Sequence, residues 1–208
     1  MTRARFVTLE GGEGAGKSTQ AQWLADALRA RGVAVLLTRE PGGTAGAEAV
    51  RGLLLHPPGE GWLPPAEALL FAAARSDHVA RTILPALAAG TWVVCDRFVD
   101  SSRAYQGGAG ALGEDDVMTL HRIGSGGLMP DLTLLFEIAP EAAQARLAAR
   151  DGSAGDAIGG RGGAYHASVA ATFARLAQGA SERMVRIDGN ADAHAVHALV
   201  MQAVERLL

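Results

Sequence analysis

The sequence predicts a doubly wound α/β domain: a parallel sheet of about five strands with helices on both faces. Three observations predict it. Short apolar runs alternate with helical patterns along the chain. The runs show little apolar–polar alternation, as strands buried on both faces do. No linker divides the 208 residues into independent units, so 1–208 reads as one domain, and 49% hydrophobic residues suffice for a sizeable core.

"RFVTLE" (5–10) is the first strand. Ser18 to Arg31 is a helix with Trp23, Leu24, Ala27 and Leu28 on one face, stopped by Gly32. "VAVLLT" (33–38) is the second strand, "REPGGTAG" (39–46) a turn-rich loop, and 47–55 a helix. "HPPGEGWLPP" (56–65) is a loop by its Pro and Gly content, and a long helix over 66–89 bends near Pro85. "TWVVCD" (91–96) is the third strand, with helices at 98–105 and 114–127, where Met118, Leu120 and Ile123 read as helix packing. "DLTLLFEI" (131–138) is the fourth strand and 140–150 a helix. "DGSAGDAIGGRGG" (151–163) holds six glycines and little that can be buried, so it reads as a mobile lid. A helix at 164–179, the strand "MVRID" (184–188) and a helix at 191–207 complete the chain.

Composition narrows the function. A net charge of −3 gives no basic excess for nucleic acid or an acidic membrane surface. No apolar run reaches the length of a membrane span, and the N-terminus has no signal-peptide core. The single cysteine, Cys95, forms no internal disulfide, which fits a reducing cytoplasm. The six histidines, at 56, 78, 121, 166, 194 and 197, lack metal-ligand spacing.

The chemistry begins in "EGGEGAGKST", between the first strand and the first helix. Gly11 to Ser18 follows the pattern G-x-x-x-x-G-K-[ST] in the strand–helix setting it requires. Gly11, Gly12, Gly14 and Gly16, with Glu13 and Ala15 between them, let the backbone wrap phosphates with inward N–H groups. The helix start, through Thr19, adds a positive end. Lys17 supplies a point charge for the outer phosphates and Ser18 a hydroxyl for magnesium. Asp96, ending the third strand, suits a carboxylate on the same ion. Kinases, GTPases and ATPases share this cradle. No Asn-Lys-x-Asp guanine reader is present, and a short chain with a late Arg-bearing flexible segment points to a kinase with a small phosphate acceptor. Phe71 and Arg75, four apart on one helix face, offer a ring to stack and a donor for a carbonyl, while Phe71 on its own reads rather as plain core.

Beyond the cradle, "TREPGGT", "LLFAAARSDHV", "ILPALAAGTWVVCDRFVDSSRAYQGG" and "PDLTLLFEI" come in an order that resembles the bacterial thymidylate kinases, P-loop nucleoside monophosphate kinases. The resemblance runs from about residue 5 to about 150 and more weakly onward. It implies transfer of the γ-phosphoryl of Mg-ATP to dTMP by a cytoplasmic homodimer. By this resemblance Arg39 and Arg97 hold the acceptor phosphate, Pro41 borders the thymine methyl, Phe71 stacks on thymine, and Arg75 meets its O4. Ser102, Tyr105 and Gln106 face the base edge and exclude a ribose 2′-hydroxyl, and Glu13 lies near the acceptor sugar and phosphate. One departure stands out. Relatives without a P-loop Arg, as here with Ala15, carry lid arginines in an Asp-Arg-x-Glu stretch, yet this chain has Ala157 and Gly159 there. Arg146, Arg150 and Arg161 are nearby, and Arg150, ending a helix, is the expected catalytic lid residue. Two other readings stay open: a kinase of another nucleoside monophosphate, and a non-catalytic nucleotide-binding protein with a degraded lid.

Overall fold

The structure is a computed structural model that describes residues 3–151 and 157–208. Five strands form one sheet: β1 (Phe6–Gly11), β2 (Val35–Arg39), β3 (Trp92–Asp96), β4 (Leu132–Glu137) and β5 (Met184–Asp188). Their order is β2-β3-β1-β4-β5, and all neighbours run parallel. The doubly wound α/β sheet expected from the sequence is therefore what the chain builds. The order reverses beside β1, so the carboxyl ends of β1, β2 and β3 border a crevice, where such folds bind ligands. Arg39 pairs in register with Asp96, and Leu9 with Asp96 from the other side.

The helices are α1 (Lys17–Ala30), α2 (Ala45–Leu55), α3 (Pro64–His78), α4 (Leu84–Ala88), α5 (Val99–Ser102), α6 (Glu114–Ser125), α7 (Pro140–Asp151), α8 (Gly163–Gly179) and α9 (Ala193–Glu205). Alternate strand residues feed two apolar layers. Val7, Leu9, Val94, Leu134 and Phe136 pack with Leu24 and Leu28 of α1 and Val200 of α9. Phe6, Val93 and Cys95 pack oppositely with Val79, Ile83 and Phe98. Burying one such Leu contributes about 1.5–3 kcal/mol, which is why the strands carry few polar residues.

Three expectations need correction. The long helix starts at Pro64, because proline suits a first turn whose N–H groups are unpaired anyway. It bends through a π turn, Val79–Ile83, in which the Leu84 N–H bonds Val79 O. Pro85 brings no N–H to the ladder just there, and the wider turn absorbs the gap. A second π stretch, Arg103–Ala109, continues α5 past its expected end. Ile123 does not pack within the chain; it is 73% exposed.

Candidate active site

The cradle is made by backbone conformation. Gly14 and Gly16 adopt φ of +71° and +85°, the left-handed region glycine enters freely. A Cβ on Gly14 would stand 2.7 Å from the Ala143 carbonyl oxygen of α7, so any side chain is excluded there. Gly16 precedes α1 without a side-chain cap, and no acid occupies the first turn, which leaves the helix N–H groups for an anion. Lys17 reaches back to donate to Gly12 O at 2.6 Å. Burial, with a contribution from Arg97, pulls its ammonium down to about 8 against the opposing pull of Asp96, Glu13 and Glu10.

Ser18 Oγ donates to Asp96 Oδ2 at 2.5 Å, which joins α1 to the end of β3. The other carboxylate oxygen of Asp96 is buried without a hydrogen-bond partner. A hydroxyl, a carboxylate and an orphaned hard oxygen beside a phosphate cradle fit magnesium, which takes few protein ligands and completes its shell with water and phosphate. Among the described residues no cluster of three or more His, Cys, Asp or Glu offers a dedicated cage.

Arg97 stands between this cradle and a second pocket. Its φ of +68° is rare for a non-glycine residue and costs of order 1–3 kcal/mol. The conformation is held from several sides. Arg97 donates to Gly11 O at 2.9 Å, Ser101 Oγ at 3.0 Å and Glu13 Oε1 at 2.6 Å, and lies 5.2 Å over the Tyr105 ring. Fully buried Glu10 gathers the next turn, accepting from the N–H groups of Phe98 (2.8 Å) and Ser101 (3.2 Å), with Ser101 Oγ at 2.6 Å. Burial, and Asp100 nearby, push the Glu10 carboxyl up to about 8. Burial works against the guanidinium charge of Arg97, but Tyr105, Glu13, Asp96 and Glu10 outweigh it and raise its pKa.

Helix α3 forms the far wall, presenting Glu67, Phe71, Arg75 and His78 at spacings of four, four and three. Arg75 is 4% exposed. It donates to Glu40 Oε2 at 2.7 Å, Ser102 Oγ at 2.8 Å and Phe98 O at 3.2 Å. Glu40 Oε1 lies 3.1 Å from His78 Nδ1, and His78 Nε2 meets Thr38 Oγ1 at 2.8 Å. His78 is thus a buried structural partner. A buried carboxylate is tolerable here because both its oxygens are paired. The second π stretch brings Tyr105 and Gln106 to the same wall, and Gln106 donates to Glu67 Oε1 at 2.9 Å. Arg39, at the exposed edge, donates through Nη2 to both carboxylate oxygens of Glu48 at 2.9 and 3.1 Å, and Arg51 donates to Pro41 O at 2.8 Å.

Most of these groups line one cavity of about 450 Å³, with Glu10, Glu67 and His78 behind its walls. Glu13 through Thr19 form one end; Arg39, Pro41, Phe71, Arg75, Ser102, Tyr105 and Gln106 form the other; Asp96 and Arg97 lie on the lining too. Gly11 and Gly12 take part through their carbonyls, which bind Arg97 and Lys17. Every candidate from the sequence is brought to this place except Arg150, whose side chain lies outside those described, as do lid residues 152–156. The rest of the lid holds more structure than its glycine content suggested. Ile158 is 8% exposed and lines the cavity, and Arg161 binds away from it, on Glu67 and Tyr165. Exposed Arg146 of α7 also lines the cavity, with Nη2 donating to Gly189 O at 2.9 Å. Sequence reasoning missed Glu10, Glu67 and Ile158. A carboxylate closing an apolar strand was a signal for Glu10. The four-residue step back from Phe71 was one for Glu67.

A phosphate cradle with a second pocket opening onto it, and an arginine pinned between them, define a P-loop kinase that moves a phosphoryl group between two bound molecules. The family model described as Thymidylate kinase matches residues 9–200. The chain is 53% identical to the thymidylate kinase of Rhizorhabdus wittichii over 204 residues, 98% of each chain. It is 48% identical to that of Chromohalobacter salexigens over 209 residues, covering 100% of this chain and 98% of the other. The crystal structure of the Ehrlichia chaffeensis thymidylate kinase superposes with a TM-score of 0.78 at 30% identity, covering 97% and 98% of the two chains. The chain belongs to the thymidylate kinase family and is a nucleoside monophosphate kinase, as the resemblance implied.

Proposed function

We propose that the chain transfers the γ-phosphoryl group of Mg-ATP to dTMP, giving dTDP and ADP, in the cavity just described. The observation that carries this reading is the continuity of one cavity from the P-loop to the Phe71–Arg75–Ser102 wall. Such transfer needs little covalent work from the protein; it needs alignment of the acceptor oxygen and neutralisation of the charge on the moving group. Lys17 and the α1 N-terminus hold the donor phosphates. Arg97 and Arg39 hold the acceptor phosphate, whose oxygen is already anionic, so no general base is required. Magnesium, when bound by Ser18 and Asp96, supplies charge neutralisation across the donor phosphates. Phe71 stacks on thymine, and Glu40, Phe98 and Ser102 aim Arg75 at its O4. Pro41 borders the methyl, Gln106 and Ser102 meet the base edge, and Tyr105 fills the space of a 2′-hydroxyl. Glu13 steadies Arg97 beside the acceptor. On the lid side the charge comes from α7, through cavity-lining Arg146 and through Arg150 one turn further on.

The working unit in this proposal is a homodimer. Leu53, Leu69 and Ile123 are exposed on α2, α3 and α6, helices that pack in series, and a second copy would cover them. No helix among the described residues is long and apolar enough to cross a membrane. The free buried thiol of Cys95 suits a reducing cytoplasm.

A coupled ADP-release assay with dTMP, dUMP, dCMP, dGMP and dAMP tests the acceptor. The expected result is the highest kcat/KM for dTMP. Equal or better turnover of a purine monophosphate, or no turnover at all, would overturn the reading.

A further inference from the structure

Just behind the acceptor wall, side chains from three segments meet at one carboxylate. Glu67 of α3 receives Gln106 on Oε1 at 2.9 Å and pairs through Oε2 with Arg161, in the last stretch of the lid segment. Arg161 lies 4.7 Å over the ring of Tyr165 and donates to its hydroxyl at 2.7 Å; that hydroxyl donates to Tyr105 O at 3.1 Å. The Arg161 N–H also closes a turn onto Ile158 O at 3.2 Å. Ile158 packs into the apolar cluster that Leu55 and Phe71 border, and it lines the cavity with them.

We propose that Arg161 is a positioning residue for the acceptor: it latches the C-terminal root of the lid onto Glu67, and so fixes Ile158 as one wall of the acceptor pocket and Gln106 as another. The inference rests on the reading that this end of the cavity takes dTMP. An exposed loop ion pair would do little. This pair is different in three respects. The Glu67 side chain is only 8% exposed, so its charge needs a partner. Both of its oxygens are engaged. The guanidinium is stacked and forked, so little freedom is lost when it binds. The backbone around Ile158 is also tied by the Ala157 N–H on Leu55 O at 3.4 Å and by His166 Nε2 with Gly159 O at 3.2 Å, and Arg161 adds an ion pair to these contacts. Arg161 is not among the residues that line the cavity, and this separates it from the expected role of a lid arginine on the transferring phosphate.

Steady-state kinetics of R161A, R161K, E67Q and the double variant R161A/E67Q test the latch. R161A should raise the KM for dTMP about five- to tenfold, the size of a contact-pair coupling, while kcat and the KM for ATP stay within about twofold. R161K, which keeps the charge but not the fork or the stack, should fall between. The double variant should be no worse than R161A, since either change opens the same latch. Equal rises in both KM values, an unchanged KM for dTMP, or additive effects would overturn the proposal. A second readout needs no substrate. Proteinase K should nick the 157–163 stretch of ligand-free, folded R161A about fivefold or more faster than wild type, and equal rates would overturn the latch. A wild type that ignores dTMP would sink the acceptor reading alone, leaving the proteolysis to judge the latch.

Discussion

The two ends of the cavity are built by different means. The cradle is backbone: Gly14 and Gly16 with positive φ, the N–H groups of α1, and one lysine returning to Gly12 O. The pocket proposed for the acceptor is side chain on side chain: Glu40, Arg75, His78 and Ser102 in one buried network, Glu67, Gln106 and Arg161 in another. The cradle is therefore locally determined and contributes little to stability, because its charges await a ligand. The pocket is determined by distant parts of the chain and is part of the core. Function and stability should separate at the first end and fall together at the second.

The largest expected effect is at the cradle. Lys17→Ala should lower kcat by about 10²–10³ or more, the scale for removing a donor aimed at developing charge. Its melting temperature should not fall. The Lys17 pKa is lowered on folding to about 8, so at pH 7 the buried ammonium is a cost to the folded state and its removal loses no stability. Near-normal turnover, or a large drop in melting temperature, would break the contrast. Next comes Arg75→Leu, which leaves Glu40 buried with only His78 beside it. Removing one partner of a buried pair costs about 3–5 kcal/mol, so urea unfolding should show that loss together with a raised KM for dTMP. Loss of dTMP affinity with full stability would show that the network is not structural.

The pH profile sharpens the same contrast. Above pH 8 Lys17 loses its positive charge and Glu10 gains a negative one, and both changes weaken anion binding. The kcat/KM for ATP should therefore fall as pH rises through about 8 and be steady below it. A profile flat to about pH 9.5, well past both values, would contradict the assignment. The smallest effect is Tyr105→Ala, which should lower the ratio of kcat/KM for dTMP over ribosyl-TMP severalfold, short of the limit of about 10–200-fold that steric discrimination reaches. An unchanged ratio would make Tyr105 simple packing against Phe173 and Tyr165.

The same contrast explains what the sequence made legible. The cradle lies in eight consecutive residues whose glycines have a local conformational reason, so it could be read directly. The strands could be read because two-sided burial leaves an apolar run. Their ends were less clear, since a ladder stops where its partner stops: β2 begins at Val35, opposite Trp92, and Val33 remains outside. The pocket residues Phe71, Arg75, Ser102 and Tyr105 entered through resemblance and helical spacing. Their supports did not, because Glu10 meets Ser101, and Glu67 meets Arg161, only after the chain has folded across long separations. The π turns were invisible to a 3.6-residue period. Ile123 looked like packing because an apolar residue on a helix gives no sign of whether its own chain covers it.

A crystal structure with dTMP and a non-hydrolysable ATP analogue bound with magnesium tests the central assignment most directly. Thymine should lie on Phe71 with O4 at Arg75, the acceptor phosphate at Arg97, the donor phosphates around Lys17, and the ion at Ser18 and Asp96. A dTMP molecule seated elsewhere, or a donor phosphate chain outside the Gly11–Ser18 loop, would contradict it.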